Sequence, residues 1–125
     1  MTYKFIIFGR LTGLNEYVYA CRSHRQKGAK LKGESQDCCA WHIKSQLRGI
    51  KINKPVHIKY SWHERDKRRD KDNIAFAKKF IQDALVECEV LKNDGWKEIR
   101  GFSDAFYIDK NNPRIEVEIE VVDSG

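Results

Sequence analysis

Hydrophobic and polar residues follow two different periods along the chain, and the change between them marks the predicted elements. Short apolar or alternating runs predict strands at residues 3–8, 56–62, 96–108 and 114–122. Apolar spacings of three and four residues predict helices over residues 14–48 and 72–88. The order β-α-β-α-β-β indicates an α+β fold, a small mixed β-sheet with two main helical regions in one domain of residues 1–125.

Finer features of these elements are also predicted. Gly28 and Gly33 are candidate breaks that would divide the first helical region in two. The last two strands are joined by residues 109–113, which is a typical length for a hairpin loop. The final strand alternates apolar residues with glutamates, so we expect one of its faces in the core. We also expect a core position for each tryptophan, since each falls in a periodic apolar pattern: Trp41, Trp62 and Trp96.

Charge is divided unevenly between the two parts of the chain. Residues 1–60 carry 12 Lys/Arg and 3 Asp/Glu, a net charge of +9, whereas residues 61–125 carry 12 and 15, a net charge of −3. A basic surface favours a polyanionic partner, because cations that neutralise phosphates release condensed counterions. No apolar run approaches the roughly 20 residues of a membrane helix, so we expect a cytoplasmic protein without a membrane partner.

The four cysteines show no spacing typical of a disulfide framework. Cys38 and Cys39 are adjacent, which suits a reduced intracellular protein. Cys21 with His24, and the Cys38–Cys39 pair with His42, offer an alternative zinc site. We favour small core residues instead, because a shared ion would need a hairpin within the first helical region.

The sharpest chemical feature is a pair of aspartates that directly follows a basic cluster. Asp70 and Asp72 stand two residues apart at a predicted helix start, so their Cα atoms are about 6–7 Å apart on one side of an extended chain. Such a pair can hold Mg²⁺, which binds one or two carboxylates together with substrate phosphate. The alternative is an ordinary helix cap.

Two further residues extend this hypothesis. Asp94, in an Asn-Asp-Gly turn, is a candidate third carboxylate that would converge with the other two, although such turns are also common without function. In a continuous helix Lys79 lies on the face of Asp72, about 10 Å along the axis, from where it could reach a phosphate. Asp83 lies too far from Asp72 along the helix axis to share a metal ion with it, and is expected to pair with Lys79.

The segments RRDKDN, KKFIQDALVE, LKNDGWKEI and NPRIEVEI, in this order and spacing, resemble the RusA family of crossover junction endodeoxyribonucleases. The resemblance covers residues 62–119. It departs from the family pattern at Asn93, where many members have an acid, at Lys71, which replaces an apolar residue, and in a longer helix. Members are small α+β homodimers, often prophage-encoded, that resolve four-way Holliday junctions in recombination and repair with Mg²⁺ or Mn²⁺.

The resemblance implies roles for particular residues. Asp70, Asp72 and Asp94 correspond to the catalytic metal-binding aspartates, and Lys79 to the catalytic lysine, with Lys78 as the alternative. The basic cluster would bind DNA phosphates through Arg65, Lys67, Arg68 and Arg69. No organic cofactor is expected. Two alternatives remain open at this point: a non-catalytic nucleic-acid-binding module, and a nuclease for other branched DNA such as flaps and forks.

Overall fold

The computed structural model describes residues 1–122 and has the order of elements that the sequence predicts. Each of the two helical regions is divided into two helices. The elements are β1 (Thr2–Phe8), α1 (Leu14–Ser23), α2 (Arg25–Gln46), β2 (Val56–Glu64), α3 (Lys71–Ala75), α4 (Lys78–Glu87), β3 (Ile99–Ile108) and β4 (Arg114–Val121). The α+β class and the β-α-β-α-β-β order are confirmed.

The four strands form one mixed sheet in the order β1-β4-β2-β3. β4 pairs antiparallel with both β1 and β2, whereas β3 pairs parallel with β2. The predicted hairpin of β3 and β4 is therefore wrong, because β2 lies between them. Two strand spacings amount to only about 10 Å, so the loop of residues 109–113 can pass over the end of β2. The Asp109 amide N–H donates to the Glu64 carbonyl at this crossing, at 2.7 Å.

The helices cover one face of the sheet and enclose the core. Tyr60 and Trp62 of β2 and Val117 of β4 are almost fully buried there, against Phe80 and Leu85 of α4. The opposite face is polar. The predicted alternation of β4 is confirmed, since its glutamates stand on that polar face, where Glu118 and Glu120 pair with lysines of neighbouring strands, as in the Lys4–Glu118 pair at 3.5 Å.

The first helical region breaks at His24, not at the glycines. His24 leaves the helical conformation, and its Nδ1 accepts a hydrogen bond from the Gln26 amide at the start of α2. Gly28 instead lies where α1 and α2 approach each other, because a Cβ there would stand 2.4 Å from the Cys21 sulfur. The glycine thus permits close helix contact without ending the helix.

The second helical region is also interrupted. α3 ends at Ala75 and α4 begins at Lys78, so the predicted continuous helix over residues 72–88 is wrong. The prediction that Lys79 lies on the face of Asp72 assumed a continuous helix, and it stays a prediction because two residues separate α3 from α4. The pairing of Lys79 with Asp83 is confirmed, with an Nζ to Oδ2 distance of 3.8 Å.

The tryptophans differ in burial. Trp62 is 1% exposed, as predicted, but Trp41 is 68% and Trp96 98% exposed. Core positions for the last two were wrong, because a periodic apolar pattern does not reveal whether another element packs on it. Trp41 lies on the outer side of α2, and Trp96 lies in the turn before β3.

The two edges of the sheet differ in how their backbone groups are satisfied. On β1, the Gln46 side chain accepts from the Ile6 amide at 2.8 Å and donates to the Ile6 carbonyl at 2.7 Å. His42 accepts from the Phe8 amide through Nε2, since its Nδ1 donates to the Cys38 carbonyl. Among residues 1–122, no comparable group bonds the outer edge of β3.

β3 also presents apolar side chains to solvent. Three of its large residues are about half exposed: Phe102, Tyr107 and Ile108. Unpaired edge strands with exposed apolar residues are typical sites of association. Within the described range, no helix is both long and apolar enough to cross a membrane.

Candidate functional site

The chain leaves β2 through a loop that a buried ion pair holds in place. The Arg69 guanidinium donates from Nη2 to both carboxylate oxygens of Glu64 and from Nε to one of them, at 3.0–3.1 Å. Its Nη1 also donates to the Leu11 carbonyl. Both side chains of the pair are only 11% exposed. The loop end just before Asp70 is therefore fixed to the core.

The other side of the aspartate pair is fixed by Asn73. Its side-chain carbonyl accepts from the Asn15 amide in the first turn of α1, at 2.9 Å, and the residue is buried. Gly13 leaves room for this contact, because a Cβ at Gly13 would stand 2.6 Å from the Asn73 oxygen. Two buried polar contacts thus bracket Asp70 and Asp72, one on each side.

Asp70 and Asp72 line one cavity of about 590 Å³ beside the end of β3. Asp70 is the N-cap residue of α3, but its side chain makes no capping hydrogen bond. Among residues 1–122, neither carboxylate has a hydrogen bond or salt bridge to another side chain, and both residues are exposed. Their oxygens are free for a ligand, and the cap explanation does not account for Asp70.

The remaining charged groups of this cavity are of two kinds. Glu64 and Asp66 are occupied, the first by Arg69 and the second by the Arg68 amide N–H at 3.0 Å. Lys67 and Lys71 are exposed cations on the rim. Free carboxylates next to free cations suit a ligand that combines a metal ion with a phosphate.

Asp94 lies elsewhere. It is exposed in the turn before β3 and lines a separate hollow of about 260 Å³ with Phe102 and Gly101. Since β3 runs parallel to β2, this hollow and the Asp70–Asp72 cavity lie at opposite ends of β3, about 20 Å apart at the usual rise per residue. No group of three or more potential metal ligands occurs among residues 1–122. The predicted convergence of the three carboxylates within one chain is therefore not observed.

Lys78 and Lys79 have contrasting environments. Lys78 donates to Asp104 of β3, packs 4.1 Å from the Phe102 ring centroid and is only 18% exposed at its side chain. Lys79 is 61% exposed, and its one salt bridge within residues 1–122 is to Asp83. Neither lysine lines the Asp70–Asp72 cavity. Of the two, Lys79 is the one available to an external phosphate.

The basic cluster divides in the same way. Arg65 and Lys67 are exposed, and the Arg68 side chain is 89% exposed with a loose contact to Asp66 at 3.6 Å. These three remain candidate phosphate ligands. Arg69 differs, because its guanidinium is bound to Glu64 and buried, where it positions the loop. The DNA contact expected of Arg69 stays a prediction, and the buried ion pair counts against it.

The cysteines form no ligand cluster in the described part of the chain. All four are free thiols, with Cys39 buried and Cys21 exposed, so the expectation of core positions holds for Cys39 and is wrong for Cys21. Burial raises the pKa of the Cys38, Cys39 and Cys88 thiols above its ordinary value. A raised thiol pKa lowers the thiolate fraction near neutral pH, so these three thiols are expected to be weak nucleophiles.

The model of the RusA endodeoxyribonuclease family matches residues 18–120. The chain belongs to the RusA family. Membership makes it a nuclease of the class that acts on DNA junctions. No curated protein matches the chain.

Residues that sequence reasoning missed explain part of the RusA motif in this chain. Asn73 follows the aspartates as the last residue of RRDKDN, and it ties α3 to α1. Glu64 ends β2 as an apparently ordinary acid at the border of a strand. The signal for its burial was the β2 alternation itself, which places position 64 on the same face as Tyr60 and Trp62. Asp104, which accepts from both Lys78 and Trp62, gave no such signal.

Proposed function

We propose that the protein is an endonuclease that uses Mg²⁺, or Mn²⁺ in its place, and nicks four-way DNA junctions as a homodimer in recombination and repair. The observation that carries the proposal is the pair of free carboxylates, Asp70 and Asp72, in a cavity whose rim carries Lys67 and Lys71. A hard divalent cation needs such oxygen ligands and completes its shell with water and phosphate. The donor set of the cavity therefore fits the ion that the family implies.

Each residue of the proposed site has a defined task. Asp70 and Asp72 hold the ion, which when bound would polarise the scissile phosphate and a water molecule. Lys67, Arg65 and Arg68 bind neighbouring phosphates and so position the strand without reading its sequence. Lys79 stabilises charge on the phosphate from the exposed side of α4. Arg69 and Asn73 hold the aspartates in position but do not touch DNA.

The separation of Asp94 from the aspartate pair supports a dimeric site. Among the described residues, the outer edge of β3 is unpaired and apolar, and two copies related by a twofold axis can pair only antiparallel through it. That arrangement brings the start of one β3 to the end of the other. Asp94 of the partner subunit would then stand beside Asp70 and Asp72, which no single chain achieves.

The test is cleavage of a synthetic four-way junction with labelled arms in the presence of Mg²⁺. Wild type should nick two opposite strands symmetrically, and Asp70→Asn should bind the junction but not cut it. Asp66→Asn is the matched control, because it removes a carboxylate of the same cavity that Arg68 already occupies. Fork and flap substrates run in parallel report the breadth of substrate choice.

Tight junction binding by wild type without any nick would overturn the proposal and favour a non-catalytic DNA-binding module. Equal loss of cutting in the Asp66→Asn control would also count against it, because the effect would then not be specific to the free carboxylates. Sedimentation of wild type should give the mass of two chains.

A further inference from the structure

Trp96 stacks on no other aromatic ring in the described part of the chain. Its side chain is 98% exposed, at the turn that precedes β3, whereas Trp62 is 1% exposed in the core. An exposed indole keeps a large apolar face in water, and such residues mark binding surfaces when other features of a ligand site surround them. The surroundings of Trp96 therefore decide its significance.

Those surroundings are strongly basic. Trp96 borders a groove of about 670 Å³ between the segment before β2 and the start of β3. Four cations and one acid line the groove: Lys54, Lys92, Lys97, Arg100 and Glu98. Among residues 1–122 none of the four cations forms a salt bridge. Free cations at this density favour a polyanion such as a phosphate backbone.

A basic groove bordered by an exposed aromatic ring is the combination that binds unpaired nucleotides. The cations follow the phosphates, and the ring stacks on a base. A base within a regular duplex is already stacked on both sides, so an indole can take one only where the duplex is interrupted. A second copy of the chain is a poorer occupant, because the groove would bring an excess of positive charge to the contact.

The groove adjoins Asp94. Trp96 follows Asp94 by two residues, and both also line the smaller hollow at the start of β3. We propose that the groove binds DNA at a branch point, with the Trp96 indole stacked on an unpaired base and the groove cations on the flanking phosphates. The inference deepens the proposed function and rests on it for the identity of the DNA as a branched substrate.

The test uses junctions with 2-aminopurine either at the branch point or within an arm, in Ca²⁺ buffer so that binding is measured without cutting. Wild type should change the fluorescence of the branch-point probe and leave the arm probe unchanged. Trp96→Ala should abolish that change and weaken binding by about tenfold, the usual effect of losing one stacked base. Trp96→Phe should restore most of both. Trp41→Ala removes the other exposed tryptophan and should behave as wild type.

Lys97→Ala provides an independent measurement of the groove. The slope of log Kd against log salt should fall by about 1, since one phosphate contact is lost. An unchanged branch-point signal and affinity in Trp96→Ala would overturn the inference. A shift of that variant to single chains in sedimentation would overturn it too, because the groove would then belong to the subunit interface.

These outcomes are separable from those of the proposed function. If wild type nicks junctions and Trp96→Ala binds them normally, the proposed nuclease function stands and the proposed DNA binding by the groove is refuted. If wild type binds junctions but never nicks them, and Trp96→Ala loses the branch-point signal, the proposed DNA binding by the groove stands and the proposed nuclease function is refuted.

Discussion

Arg69 and Glu64 form an ion pair in which two guanidinium nitrogens contact both carboxylate oxygens, and both side chains are 11% exposed. Removal of the guanidinium leaves a buried carboxylate without a partner, so Arg69→Ala should lower the free energy of unfolding by about 3 kcal/mol. Arg68→Ala is the matched control, since that side chain is 89% exposed, and should change it by less than about 0.5 kcal/mol. Urea denaturation measures both.

The order of the two variants should reverse in DNA binding, where Arg68→Ala has the larger effect. Arg68→Ala should lower the salt slope of junction binding by about 1, whereas Arg69→Ala should leave it unchanged under conditions where the variant is folded. A reduced slope in Arg69→Ala would return Arg69 to the phosphate contacts.

Lys78 and Lys79 offer a second contrast between adjacent residues. Lys78→Ala removes the partner of Asp104 and should lower the free energy of unfolding by about 2 kcal/mol. Lys79→Ala should have almost no effect on stability, because exposed ion pairs contribute about 0–1 kcal/mol, but should slow junction cutting. Lys79→Ala with full cutting activity would remove Lys79 from the catalytic site.

A site shared between subunits predicts complementation between two inactive variants. Asp70→Asn and Asp94→Asn should each fail to cut alone, but mixed dimers contain one site with both native aspartates. Refolding equal amounts together should restore nicking of one strand, from about a quarter of the sites if the chains pair at random. Mixtures as inactive as their components would place Asp94 outside the site.

The pH dependence of stability should include a contribution from Asp109. A hydrogen bond from Arg114 Nη1, at 2.8 Å, holds the pKa of the Asp109 carboxyl below its usual range. The folded state therefore favours the ionised form, and the stabilisation is present at neutral pH and lost as the pH falls through the folded pKa. Asp109→Asn should have a lower melting temperature than wild type at pH 7, and the difference should narrow below about pH 4.

Thiol labelling should follow burial. Cys21 is exposed, whereas Cys39 is buried and burial raises its pKa far above the ordinary value. In native protein Cys21 should therefore react first with a thiol reagent and Cys39 only on unfolding. Cys21→Ser should remove the fast phase, and its persistence in that variant would contradict the lower accessibility of Cys38, Cys39 and Cys88, of which Cys39 is buried and the other two are partly exposed.

The fold was predictable where the pattern depends on burial alone. The alternation of Ile115, Val117 and Ile119 with glutamates correctly predicted which face of β4 is buried. The pairing of the strands was not predictable in the same way. Alternation indicates which face of a strand is buried, but it does not indicate which strand is its neighbour in the sheet. The loop after Ile108 has a length suited to a hairpin, and only the position of β2 shows that it crosses over a strand.

The candidate site was predictable to a similar extent. The spacing of Asp70 and Asp72 predicts two carboxylates on one side of the chain, and both residues line one cavity, while their binding of a shared cation stays a prediction. The position of Asp94 depends on the parallel pairing of β2 and β3, which local sequence does not encode. The difference in exposure between Arg68 and Arg69 depends on Glu64, which contacts only Arg69 of the two. Because this is a tertiary contact, the sequence does not distinguish the two adjacent arginines.

The amide of Gln46 has a consequence for how many copies can associate. By occupying the backbone of Ile6, it removes one end of the sheet as a template for further strands. Pairing through β3 would then join two sheets into one sheet of eight strands. Both edge strands of that sheet would be β1, and in each of them Gln46 bonds the backbone of Ile6. If the chains associate in this way, strand addition would stop at two chains and would not continue into a fibre.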